Sequence, residues 1–132
     1  MRALIVEDEF TSRKLLWALL ADFGECDTAR DGVECVAQFR QALAQGAPYD
    51  LVCMDIMMPN MDGHQALKEL RAIEQEAGTL PPDEVKVIMV TALNDPKTVV
   101  RAYYKGGATA YLPKPIEVES LYAILRDLGL IE

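Results

Sequence analysis

A chain of 132 residues suggests one domain around one core, and 51% hydrophobic residues can fill that core and cover a sheet on both sides. The net charge of −8 argues against nucleic acid as a direct partner, because a phosphate backbone would repel it. No apolar run approaches membrane-spanning length, and Met1-Arg2 leads straight into Ala3-Leu4-Ile5-Val6 without a signal-peptide pattern, so a cytoplasmic protein free of the membrane is expected.

Arg2 to Val6 reads as a short hydrophobic strand ending in Glu7-Asp8-Glu9, three carboxylates whose mutual repulsion asks for a compensating cation. Thr11 or Ser12 is expected to start the following helix, with Leu16, Leu19, Leu20 and Phe23 as its core stripe and Gly24 as its end. Phe10, Leu15 and Trp17 widen the apolar face beyond one sheet contact, giving either a partly exposed hydrophobic rim or a docking face beside the acidic pocket. Cys26 to Ala29 suits a second strand. Asp31-Gly32 is a turn, and Val33, Val36, Ala37, Phe39 or Arg40 and Leu43 fit a helix with one buried side.

Leu51-Val52-Cys53-Met54-Asp55 is an apolar run of strand length, as expected of a strand buried on both faces, and it ends in a carboxylate. After Gly63 a helix carries Ala66, Leu67, Leu70 and Ile73 to about Ala77, and the Gly78 to Asp83 stretch with Pro81-Pro82 breaks it. Val85 to Val90 is a β-branched strand ending in Thr91-Ala92. Asn94-Asp95-Pro96 opens a helix with Val99, Val100, Ala102 and Tyr103, closed by Gly106-Gly107. A short strand at Ala110-Tyr111-Leu112 leads to Pro113-Lys114-Pro115, and Val118, Leu121, Leu125 and Leu128 mark a last helix.

This alternation predicts a doubly wound α/β fold, a five-stranded parallel sheet with right-handed crossovers and helices on both faces. The cysteines, Cys26, Cys35 and Cys53, show neither a Cys-x-x-Cys pair nor metal-ligand spacing, and Cys53 inside the central strand reads as packing. A cysteine phosphatase loop is excluded: counted from Cys35, the place of its arginine falls on Gln41.

The carboxyl ends of parallel strands share one edge, so Glu7, Asp8, Asp55, Thr91 and Lys114 should converge there. Carboxylates can hold a hard cation such as Mg²⁺ together with waters and a phosphate. A lysine and a hydroxyl opposite could hold phosphoryl oxygens, leaving Asp55 as the nucleophile that forms an aspartyl phosphate.

Val6-Glu7-Asp8-Glu9, Met54-Asp55-Ile56-Met57-Met58-Pro59-Asn60-Met61-Asp62-Gly63, Val90-Thr91-Ala92 and Gly107-Ala108-Thr109-Ala110-Tyr111-Leu112-Pro113-Lys114-Pro115 together resemble the receiver domains of two-component response regulators. The resemblance covers essentially the whole chain, and the length matches the single-domain, CheY-like members. It implies a flavodoxin-like fold across residues 1–132 with no output domain. It makes Asp55 the phosphoacceptor, with Asp8, Asp55 and the Met57 carbonyl as Mg²⁺ ligands and Glu7 acting through a bound water. Thr91 and Lys114 would contact the phosphoryl group, and the Lys114-Pro115 bond is expected to be cis.

It also implies a switch, in which Thr91 is drawn to the phosphoryl group and Tyr111 swings into the vacated space. The donor would be a sensor histidine kinase or a histidine phosphotransfer protein, and a downstream protein target would read the altered face. Tyr103 and Tyr104 are adjacent on a helix, so one must face outward and mark an output face or a dimer contact. A monomer or a weak, phosphorylation-dependent dimer follows.

Two departures stand out. Glu7 occupies a place where many family members have aspartate. Met57 and Leu93, two positions beyond Asp55 and Thr91, are apolar where the family's attacking water passes, so slow loss of the phosphoryl group is expected. The rival reading is an enzyme, a Mg²⁺-dependent phosphohydrolase with the same aspartyl chemistry. Such hydrolases generally want a second acid where this chain has Met57, so a switch with self-catalysed phosphoryl transfer and autodephosphorylation is the better expectation.

Overall fold

The computed structural model describes residues 1–92 and 107–132. Its strands are β1 (Arg2–Val6), β2 (Glu25–Ala29), β3 (Leu51–Asp55), β4 (Lys86–Thr91) and β5 (Ala110–Pro113), and its helices are α1 (Phe10–Leu20), α2 (Gly32–Ala44), α3 (Gly63–Glu76) and α4 (Val118–Asp127). The strands form one parallel sheet in the order β2-β1-β3-β4-β5. β2 and β3 therefore lie on opposite sides of β1, and the order reverses there, which is where open α/β sheets bind ligands.

Alternation along each strand sends successive side chains to opposite faces. Leu4, Val6, Val52, Met54, Val87 and Met89 pack with Cys35 and Phe39 of α2 and Ala66, Leu67, Leu70 and Ile73 of α3. Ala3, Ile5, Leu51, Cys53, Ile88, Val90 and Leu112 pack on the other face with Leu16 and Leu20 of α1 and Leu121 and Leu125 of α4. Every residue of β3 is buried, as its unbroken apolar run requires. The predicted doubly wound sheet is thus observed, with Cys53 fully enclosed in it.

Several boundaries differ from expectation for identifiable reasons. α1 starts at Phe10 because Glu9, and neither Thr11 nor Ser12, is its cap: the Glu9 carboxylate accepts from Thr11 N and Ser12 N. Leu19 and Phe23 are only partly buried, and the helix tightens into a 3₁₀ turn at Ala21–Phe23. Gly24 then passes so close to the chain start that a Cβ there would lie 1.7 Å from Met1 O. β4 begins at Lys86 rather than Val85 and includes Thr91. The helix expected after Asn94, with Tyr103 and Tyr104, and the Leu93 position lie outside the described residues. Among the described residues, no helix is long and apolar enough to cross a membrane.

Candidate functional site

The sheet delivers the acids to one edge. Val6 pairs with Met54 in register, so Glu7 and Asp55 leave neighbouring strands side by side. Asp55 pairs with Val90, which places Thr91 one step beyond it on β4. Lys114 N donates to Thr91 O at 2.7 Å, tying the end of β5 to the same edge, and the Lys114-Pro115 bond that follows is cis, as expected. Carboxylate oxygens of Glu7, Asp8 and Asp55 all lie within 4.8 Å of one another.

Glu7 is fully buried and Asp55 is 6% exposed, while Asp8 opens to solvent. Lys114 Nζ donates to Glu7 Oε1 at 3.0 Å and lies 3.5 Å from Asp55 Oδ2. Burial pushes the Glu7 carboxyl up to about 7; the Lys114 hydrogen bond opposes the rise and the Asp55 carboxylate adds to it. Burial alone would lower the Lys114 ammonium, but the bond to Glu7 and the charges of Asp55 and Glu7 outweigh it and hold it above its usual range.

Glu7 Oε2 is buried without a hydrogen-bond partner among the described residues, a costly state for a carboxylate oxygen. One lysine cannot balance three clustered carboxylates. The donor set is all oxygen, and one of its residues, Glu7, carries an orphaned buried atom; this fits a hard divalent cation such as Mg²⁺. Glu7, Asp8 and Asp55 are the carboxylates whose oxygens lie close enough together to hold such an ion.

Glu9 does not join the cluster. Its side chain turns to the α1 N-terminus, where the Ser12 hydroxyl and backbone N–H and the Thr11 N–H hold it well below the usual range, at about 2. Thr91 is buried and Tyr111 is 38% exposed on β5. Phe10, at 65%, and Leu15 are exposed on α1, and Met57 is 64% exposed beside Asp55.

Three supporting residues escaped the sequence reading. Arg13 donates to Glu7 O at 2.9 Å and Asp8 O at 3.4 Å, bracing the acidic loop, and its guanidinium also lies over the Phe10 ring. A basic residue one turn into a helix that follows an acidic loop was the available signal. Asp31 and Asn60 meet at 2.8 Å, a contact between two loops far apart in sequence.

An open parallel sheet with clustered acids at its switch point, and a lysine reaching them from the end of β5, defines a doubly wound α/β domain with a ligand edge at the carboxyl ends of its strands. The chain belongs to the response regulator receiver domain family, whose profile matches residues 3–126, and it is a receiver domain of two-component phosphorelay signalling. Two-component response regulator ORR41 of Oryza sativa subsp. japonica is 36% identical over 133 residues, covering 98% of this chain and 95% of the relative. Histidine kinase CKI1 of Arabidopsis thaliana is 29% identical, and there the chain matches 96% of itself but spans only 12% of the relative.

Among solved structures, the CheX-CheY-BeF3-Mg complex from Borrelia burgdorferi matches at TM-score 0.84 and 25% identity, over 100% of this chain and 90% of that one. The complex of the Saccharomyces cerevisiae phosphotransfer protein Ypd1 with the Ssk1 receiver domain matches at TM-score 0.83 and 25% identity, over 98% and 88%.

Proposed function

We propose that this chain is a phosphoacceptor switch centred on Asp55. The observation that carries the reading is the Lys114 ammonium, held 3.5 Å from Asp55 Oδ2 at the edge where Glu7 and Asp8 also gather. An Asp55 oxygen attacks phosphorus in line with the P–N bond of a phosphohistidine. The new P–O bond forms as the P–N bond breaks, and its electron pair stays with the imidazole, which takes up a proton. Bound Mg²⁺ would supply neutralisation of the phosphoryl charge. Lys114 holds one phosphoryl oxygen and the Thr91 hydroxyl closes on another.

The movement of Thr91 opens space for Tyr111, whose ring turns inward and changes the face read by a downstream protein target. Hydrolysis of the aspartyl phosphate by water resets the switch. The likeness to a receiver bound to Ypd1 supports a histidine phosphotransfer protein, or a sensor histidine kinase, as donor. Exposed Phe10 and Leu15 on α1, beside the acidic edge, form the docking surface for it. The chain acts in the cytoplasm as a monomer or a weak dimer formed on phosphorylation.

Acetyl phosphate with Mg²⁺, followed by intact-mass measurement, tests this. The parent is expected to gain one phosphoryl group and Asp55→Asn none. Equal gain by both, or turnover of a small phosphate ester by the parent, would overturn the assignment, the latter in favour of a phosphohydrolase.

A further inference from the structure

The geometry points to Asp31 and Asn60 as a clamp that positions the loop after Asp55, and with it the Met57 carbonyl, for Mg²⁺; this rests on the function proposed above. A backbone carbonyl has no side-chain freedom, so its place is set entirely by the path of the loop that carries it. Residues 56–62 run from β3 to α3, and both ends are pinned. Ile56 N donates to Val90 O at 3.0 Å, Gly63 N donates to Ile56 O at 2.8 Å, and Asp62 and Gln65 form a reciprocal cap on α3.

The middle of this loop is held from a different part of the chain. Asn60 Nδ2 donates to Asp31 Oδ2 at 2.8 Å, and Gly32 N donates to Met61 O at 3.1 Å. The approach is too close for a side chain at Gly32, where a Cβ would lie 2.5 Å from Met61 O. Asn60 adopts φ 68°, alone among the non-glycine residues described, and asparagine is one of the few residues that tolerates it.

Asp31 follows β2, and β2 and β3 flank β1. The clamp therefore joins the loops on either side of the strand that delivers Glu7 and Asp8. Both Asp31 oxygens are committed: Oδ1 accepts from Glu34 N at 2.9 Å and caps α2, and Oδ2 takes the Asn60 amide. Those donors, Glu34 N first, hold the Asp31 carboxyl below its usual range. The α2 cap alone would need only one oxygen; the second reaches across to the loop bearing the carbonyl. Mg²⁺ demands near-ideal octahedral placement of its ligands, so a loosened carbonyl should be felt in its affinity.

The test compares the parent with Asn60→Gly, Asp31→Asn and the swap Asp31→Asn/Asn60→Asp. Asn60→Gly keeps the left-handed backbone without the amide and changes no charge. Asp31→Asn replaces the charged acceptor by a neutral amide, leaving at most a weaker neutral hydrogen bond to Asn60, and the swap restores an amide–carboxylate pair in the reverse sense. Mg²⁺ affinity is read by titration calorimetry, uptake of phosphoryl from acetyl phosphate by intact mass, and folding by thermal melts in EDTA.

Each single variant is expected to weaken Mg²⁺ affinity about tenfold, the low end of what a lost outer-shell contact costs. The swap should return to within about twofold of the parent, and saturating Mg²⁺ should recover most of the phosphorylation rate in the single variants. Affinities near that of the parent in the singles, or a swap that fails to rescue, overturn the clamp alone when the parent itself binds Mg²⁺ and is phosphorylated. A parent that does neither overturns the phosphoacceptor reading and the clamp with it.

Discussion

Lys114 donates to Glu7 at 3.0 Å across 107 residues of sequence, closer than its 3.5 Å approach to Asp55. The lysine thus leans on the deepest acid of the cluster and holds Asp55 more loosely. Its single positive charge is shared between two carboxylates, and Glu7 Oε2 still lacks a partner among the described residues. This partial balance leaves net negative charge at the edge, which under the proposed function further positive charge would offset. Lys114→Met is expected to slow phosphorylation by acetyl phosphate by about 100-fold, the scale for losing one preorganised donor to a transferring group. Intact-mass time courses at saturating Mg²⁺ check this; an unchanged rate would mean that Lys114 serves only to neutralise Glu7.

The same burial makes a pH-dependent stability. The Glu7 carboxyl is raised from 4.5 to about 7 in the folded protein, so folding favours its protonated form. Its contribution is fully present below 4.5 and is lost as pH rises through about 7. Glu7→Gln has no such proton to lose. With Mg²⁺ chelated, the variant should be the more stable protein at about pH 8, by on the order of 1–2 kcal/mol, and the gap should close toward about pH 5. Thermal melts across this range read the difference, and parallel curves for the two proteins would contradict it.

The edge constellation was legible because it depends on two simple regularities: apolar runs that end in polar groups, and parallel strands that bring those ends together. Asp55, Glu7, Asp8 and Lys114 needed nothing more. Glu9 was not legible as a cap, since short Ser and Thr side chains usually fill that role and its longer arm had to fold back onto Thr11 and Ser12. The Asp31–Asn60 contact depends on two loops meeting across β1, which no local pattern encodes. Buried Glu74 was also hidden. It is a charged residue on α3 that accepts from Arg71 and from Val85 N, so its burial is a matter of tertiary pairing.

Gly63 couples the site to its supporting helix. A Cβ there would lie 2.6 Å from Asp55 O and 2.9 Å from Ile56 Cα, and these backbone atoms have nowhere to go. Gly63→Ala should destabilise the fold by roughly 1–3 kcal/mol, as overpacking typically does. Because the displaced peptide is that of Asp55, phosphorylation should slow as well. Urea unfolding and acetyl phosphate time courses measure the two effects; an undisturbed variant would show that the loop can relax around the methyl group.

At the opposite edge of the sheet, the Tyr49 hydroxyl donates to Asp27 Oδ2 at 2.6 Å, and the Arg2 guanidinium lies over the Tyr49 ring. Tyr49→Phe keeps the ring and deletes only the hydroxyl. A loss of about 1.5–3 kcal/mol is expected, the range for a hydrogen bond to a charged group, with no change in phosphorylation rate. A variant that lost activity at unchanged stability would show coupling between the two edges that the packing does not suggest.

The proposed phosphoacceptor role of Asp55 gives Met57 a testable part in how long a phosphoryl group would last. Its side chain is 64% exposed two residues past Asp55, and a thioether there neither accepts a proton nor orients water well. Water must reach phosphorus opposite the bond to Asp55, so a group able to hydrogen-bond that water should hasten hydrolysis. Met57→Asn is expected to shorten the lifetime of the phosphorylated protein about tenfold, well under the roughly 10²–10⁴ available from a fully positioned general base. The measurement is decay of the phosphorylated mass after acetyl phosphate is removed, with Mg²⁺ kept saturating. Asparagine cannot serve as a base, so the gain should be nearly flat with pH. A lifetime equal to that of the parent would place the control of hydrolysis elsewhere than at Met57.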